Sequence, residues 1–202
     1  MSKHIRKLNI SNDIITRVVK HSKSVDKEYL VFAIIDDNGD AEYIDTLVGA
    51  GRSVKGEGIQ QSNLQIHNHP FKTRGEDFVA VIQKTNVLDH IKSFFLNETD
   101  AKTMPSPGDV INWSIEGHPW DPKVYGISST IDKKTHLRLF DFSKLSDKQR
   151  IQAGVAAVEY SNLQEKYDSA KHLSIDLKIQ YGFLHDKRMQ PLLKHSELII
   201  IE

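Results

Sequence analysis

The stretch Gln65-Ile66-His67-Asn68-His69-Pro70 carries the residues of this chain best suited to chemistry. His67 and His69 stand one residue apart at the end of an apolar-containing run. If that run, about Asn63 to His69, is a strand, successive side chains alternate faces, so both imidazoles point one way and Asn68 the other. Two imidazoles on one rigid face can give two ligands to a single metal ion, and imidazole suits zinc. Pro70 cannot donate to a sheet ladder, so the strand stops there and the pair sits at its exposed end. With ten histidines in the chain, a chance His-x-His is the competing reading.

Hydrolytic zinc chemistry also needs a third ligand, an open coordination position and a base. Asp109, in Ser106-Pro107-Gly108-Asp109, is the candidate ligand. Ser106, one turn earlier, is a candidate donor to a developing oxyanion. The same residues also read as a helix start, with Ser106 as N-cap, Pro107 at the first helical position and Asp109 at the third.

The surrounding pattern supplies elements to position these groups. Ser11 caps an expected helix to about Lys20, with Ile14, Ile15, Val18 and Val19 as its apolar stripe. Tyr29 to Ile35 is a continuous apolar run suited to a buried central strand. Asp37-Asn38-Gly39-Asp40 is a tight-turn signal, and Ala41 to Leu47 completes a hairpin. The glycine-rich loop 49–58 lacks the spacing of a phosphate-binding loop. Residues 71–104 resemble an inserted unit, with Phe78, Val81, Ile82, Leu88, Ile91 and Phe95 near helical spacing and Asn97 and Thr99-Asp100 ending the helix. Lys123 to Ile131 and His136 to Phe142 predict a second hairpin joined by Asp132-Lys133-Lys134. Ser146 caps a long helix to about His172, with Ile151, Val155, Val158, Asn162 and Tyr167 near one face. Leu173 to Phe183 fits either strand or helix, and Glu197 to Glu202 fits an edge strand. The fold class expected is α/β (α+β): a catalytic domain over 1–143 with the insertion 71–104, then a mostly helical extension over 144–202.

Composition narrows the chemistry. The 202 residues, 39% hydrophobic, suffice for a good core. Lys+Arg and Asp+Glu both number 27, so no global field draws the chain to nucleic acid or an anionic membrane. Without cysteine there are no disulfides, thiolate ligands or cysteine nucleophiles. No run approaches the roughly 18 apolar residues of a membrane span, and a soluble, cytoplasmic protein is expected.

The order His67-Asn68-His69-Pro70, then Ser106-Pro107-Gly108-Asp109, with a glutamate far upstream, resembles the JAMM signature of the JAB/MPN metallopeptidases. The wording is closest to bacterial members, including the RadC-like branch. In that family the glutamate opens the first strand directly after a helix, the place Glu28 holds here. The resemblance covers roughly residues 10–142 and implies a JAB/MPN-like (cytidine-deaminase-like) mixed β-sheet flanked by helices. It implies that His67, His69 and Asp109 bind one Zn²⁺ with a water in the fourth position. Glu28 would take that water's proton and deliver it to the leaving amine, and Ser106 would steady the oxyanion. Glu42 is the rival base. The family's usual spacing would put the serine at Asp77 and the aspartate at Ala80, and neither matches. Here residues 70–105 intervene, with Glu76 and Asp77 as alternative third ligands. His118, beside Pro119 and Trp120, reads as structural or as a rim contact.

The activity implied is zinc-dependent amide hydrolysis, by an isopeptidase or peptidase acting near the C-terminus of a ubiquitin-like protein or conjugate, whose extended tail lies as an added strand. The alternative is a zinc-free scaffold, or a DNA-associated RadC-like module reached through Lys187-Arg188 and Lys194. Residues 145–202 are open to three readings: a homo-oligomer surface, a partner's docking site, or packing against the domain.

Overall fold

The computed structural model describes residues 8–24, 27–49, 62–69, 98–114, 123–167 and 173–202. Asn9–Ile10 (β1) leads into the helix Asn12–Ser22 (α1), and the apolar run Tyr29–Ile35 is indeed a strand (β2). Gly39, at φ 95°, takes the left-handed turn position that lets Asp40–Val48 (β3) fold back on it. Leu64–Asn68 (β4) pairs antiparallel with the other side of β2. Val124–Ile131 (β5) then lies parallel to β4. Parallel neighbours require a long crossover, and the chain between His69 and Lys123 provides it. Lys134–Asp141 (β6) and Ser196–Ile201 (β7) bring the described strands to a seven-stranded mixed sheet in the order β1-β3-β2-β4-β5-β6-β7. The fold is α+β, and the edge strand expected at the C-terminal run is present.

The chain divides into two compact units, Met1–Pro70 with Gly117–Phe140 and Glu197–Glu202, and Phe71–Glu116 with Asp141–Ser196. In the first unit, alternation sorts the central strands by face. Val31, Ala33, Ile35, Leu64, Ile66 and Val124 join Ile14 and Val18 of α1 in one buried cluster. Leu30, Phe32, His67, Tyr125 and Ile127 occupy the other face and are buried too. The Ser22 hydroxyl seats the end of α1, lying 3.0 Å from both Thr130 Oγ1 and Thr135 Oγ1. Gly126 is the tight point of this core. A Cβ there would lie 2.8 Å from Ile66 Cγ1 and 3.0 Å from Leu139 Cδ2. Gly126→Ala is therefore expected to cost about 1–3 kcal/mol, read as a lower urea midpoint with unchanged slope.

The described residues of the second unit are mostly helical: Glu98–Thr103 (α2), Pro107–Ser114 (α3), Asp147–Lys166 (α4), Leu173–His185 (α5) and Gln190–Lys194 (α6). Ser146 caps α4 as its sequence promised, reciprocally with Gln149. The helix buries Ala153, Ala156 and Ala157, whereas Ile151, Val155, Val158 and Tyr167 are exposed. The larger side chains give the stronger periodic signal, but the small ones let α3 come close. A Cβ on Gly154 would sit 2.8 Å from Ser114 Cβ. Trp113 and Phe142 are both buried and meet edge-on at 5.8 Å.

Three expectations are corrected and one open reading, that of Leu173 to Phe183, is decided. The long helix stops at Lys166 rather than His172. Leu173 to Phe183 is helix, because Ile175, Ile179 and Phe183 also recur every fourth residue and the last two are buried. Lys134 belongs to β6, since Asp132 and Lys133 alone, at φ 48° and 67°, make the two-residue turn. Thr99 and Asp100 lie in helix α2 rather than ending one. Ser11 does occupy the N-cap of α1, but its hydroxyl makes no capping bond. The helix expected over 78–95 and the loop 50–58 lie outside the described residues, and among the described residues no helix is long and apolar enough to cross a membrane.

Arg188 ties α4 to the turn after α5, with Nη2 2.6 Å from Glu159 Oε2 and 2.7 Å from Asp186 Oδ2. Hydrogen bonding from Arg188 is the main force holding both carboxyls below their ordinary range. A folded-state value below the unfolded one means stabilisation that is present above the unfolded range and lost as pH falls through the folded value. Arg188→Met is therefore expected to lower the melting temperature by a few degrees near neutrality. Melting curves of the two proteins should converge as pH falls from about 5 to about 3.

Candidate metal centre

The end of β4 is fixed before the histidines are reached. Register runs Leu30 to His67 across the β2–β4 pair and His67 to Ile127 across the β4–β5 pair. The Ser128 hydroxyl donates to the His67 carbonyl at 3.4 Å, and the His69 N–H donates to the Ser128 carbonyl at the same distance. His67 is buried and His69 half-buried. Their rings converge as strand alternation requires, with Nε2 atoms 3.0 Å apart and ring centroids at 4.9 Å. Tetrahedral zinc with nitrogen ligands at about 2.0–2.1 Å places those nitrogens about 3.3 Å apart. The observed spacing suits either two lone pairs turned on one cation or a single N–H shared between the rings.

Continuing the β2–β4 register beyond Leu30 and His67 sets Glu28 opposite His69. By alternation its side chain belongs to the sheet face that carries both imidazoles. The Glu28 carbonyl accepts from the Gly49 N–H at 2.8 Å. Glu42, the rival base, is exposed opposite Ile34, towards the far end of β2.

Ser106 and Asp109 form the start of α3. Asp109 Oδ2 accepts from the Ser106 N–H at 2.7 Å and from its hydroxyl at 2.8 Å, while the Asp109 N–H points to Ser106 Oγ at 3.2 Å. This is a capping box with aspartate in the glutamate's place, and Pro107 opens the helix. The helix-cap reading is thus correct as local structure. It does not exhaust the carboxylate, which has about four acceptor sites on two oxygens. The single Ser106 proton is directed at Asp109, so the geometry gives Ser106 the orienting of that carboxylate. Donation to an oxyanion would require the hydroxyl to rotate.

Ligand atoms of His67, His69 and Asp109 lie within 4.8 Å of one another. They are the three residues read as ligands from the sequence. The donor set fits zinc: two imidazoles and one carboxylate, with no thiolate, combine borderline and hard donors and offset one unit of a divalent charge. The chain matches no family model, no curated protein and no solved structure.

Other sequence candidates fare differently. Pro70, Glu76, Asp77 and His118 lie outside the described residues. Of the basic cluster Lys187-Arg188 and Lys194, Arg188 is committed to Asp186 and Glu159, which weakens it as a phosphate-binding patch. Sequence reasoning passed over Asn68, treated only as the residue pointing away from the histidines. It is almost fully buried and bonded to the segment around Glu28. The signal was available: a buried strand position that is polar must find partners.

Proposed function

We propose that His67, His69 and Asp109 hold one zinc ion and that this chain is a zinc-dependent amide hydrolase of the JAB/MPN (JAMM) kind. One observation carries the reading: the three side chains named by the motif present their ligand atoms within a 4.8 Å group. Two of them were read from one strand and the third from a segment far along the sequence.

Zinc bound here would supply a nucleophile at neutral pH, by lowering a ligated water's pKa to about 7, and Lewis acidity towards a carbonyl. The chain's own residues do the rest. Glu28, at the entrance of β2 and on the imidazoles' face of the sheet, accepts a proton from the attacking water and returns it to the leaving amine. A carboxylate suffices as that base near neutral pH. Ser106 holds the Asp109 carboxylate in place and, on rotating, donates to the developing oxyanion. His67 is held by burial, and the backbone that carries His69 by its bond to Ser128.

The substrate class we propose is an amide near the C-terminus of a ubiquitin-like protein or conjugate. β4 already has a strand on each side, so an extended tail cannot add to β4 itself and must be held beside it by other segments. A cytoplasmic location belongs to the same proposal. The test is a ubiquitin-like protein carrying a fluorophore amide-linked to its C-terminus. Release should require zinc, stop with a chelator and return on re-addition of zinc. A zinc-loaded protein that releases nothing from a panel of such tails would remove the isopeptidase reading while leaving the metal site standing.

A further inference from the structure

The β2–β4 ladder is closed at each end by an asparagine side chain. At one end Asn63 faces a single residue: its Oδ1 accepts from the Ile35 N–H at 2.5 Å and its Nδ2 donates to the Ile35 carbonyl at 2.8 Å. Such a side chain imitates the next peptide unit of the strand and finishes the pairing. At the other end Asn68 does something different. Its Oδ1 accepts from the Tyr29 N–H at 2.6 Å, while its Nδ2 donates to the Lys27 carbonyl at 3.2 Å. The amide straddles Glu28, gripping the peptide groups on both sides of it. A third bond, from the Gly49 N–H to the Glu28 carbonyl at 2.8 Å, holds the residue between.

We propose that Asn68 is the positioning residue for Glu28: the side chain between the two histidines fixes the backbone that carries the base. The inference rests on the metal-hydrolase reading above. Strand alternation makes the coupling possible. Residues 67 and 69 send imidazoles to one face and residue 68 sends its amide to the other, where it is almost wholly buried and both its polar ends are bonded. One rigid tripeptide thus sets the two imidazoles and, through Asn68, the base that faces them. A base must be held within about 0.5 Å of its productive position, and a strand entrance is where a backbone frays unless bonded. Closing the ladder alone would need no grip on Lys27, as Asn63 shows.

The experiment uses the full-length protein, amide-exchange NMR, and cobalt(II) as the metal probe. Asn68→Ala should let the Tyr29 amide exchange roughly tenfold faster, the loss of one well-made bond. The Val31 and Ala33 amides should be unchanged, and cobalt should still bind one to one. In the cobalt form the paramagnetic shifts of the Glu28 side chain should shrink towards an average, while those of the histidine rings stay put. Asn68→Asp keeps the acceptor for Tyr29 and should restore its protection to within about threefold, and it decides the case if the alanine variant does not fold. Unchanged Tyr29 exchange and unchanged Glu28 shifts in Asn68→Ala would overturn the proposal with the metal reading intact. So would cobalt affinity falling as far as in His69→Ala while Glu28 does not move, since Asn68 would then serve the histidines. If wild-type protein takes up no cobalt, the metal reading fails and Asn68 is reduced to a strand clasp.

Discussion

Glu28→Gln should yield a protein that binds zinc one to one and hydrolyses its amide substrate about two to four orders of magnitude more slowly. The substitution removes the one group proposed to move protons, keeps its size, and leaves untouched the backbone bonds that hold residue 28. Those bonds run from Gly49 and Asn68 and do not involve the carboxylate. Fold and metal affinity should therefore match wild type while turnover collapses. Paired measurements of zinc stoichiometry and initial rate check this. Near-normal turnover would move the base elsewhere, with Glu42 a poor replacement given its place at the far end of β2.

Separating the cap from the ligand is the second test with a large expected effect, because Asp109 serves both readings. Asp109→Asn keeps an oxygen that can accept from Ser106, so the start of α3 should survive, but it removes the anionic ligand. Metal affinity should then fall by at least about a hundredfold, judged against the 10–100-fold typical of losing a supporting contact. Ser106→Ala leaves the ligand and removes the cap hydroxyl. It should cost about 1 kcal/mol of stability and weaken metal binding only within that 10–100-fold range. Competition against a chromogenic chelator, with a thermal melt of each variant, distinguishes them. Equal metal affinity in Asp109→Asn and wild type would reduce Ser106-Pro107-Gly108-Asp109 to a helix cap.

Much of this arrangement could be read from the residues because the signals are local. The apolar run at Tyr29–Ile35, the glycine turn at Gly39 and the His-x-His alternation each depend on a few neighbouring positions. So does the capping box at the start of α3. Readings failed where tertiary contact outweighed period. In α4 the alanines, too small to dominate a pattern, form the buried face beside the close approach at Gly154, and the conspicuous Ile151, Val155 and Val158 are exposed. In α5 a perfect alternation also contained a fourfold repeat, and sequence alone could not choose between them. The candidate metal group was half legible. The histidine pair follows from strand geometry, but nothing local says that Asp109, some forty residues on, comes near it. Only the order of a known motif suggested that. Asn68 was missed because its partners, Lys27 and Tyr29, are brought to it by strand pairing.

The most direct test is the metal content of the purified wild-type protein beside His67→Ala, by elemental analysis after dialysis against zinc and then against buffer. The proposal predicts one zinc per chain in the wild type and essentially none in the variant, with both proteins folded. A folded wild type that retains no zinc, or a His67→Ala protein that retains as much as wild type, would contradict it.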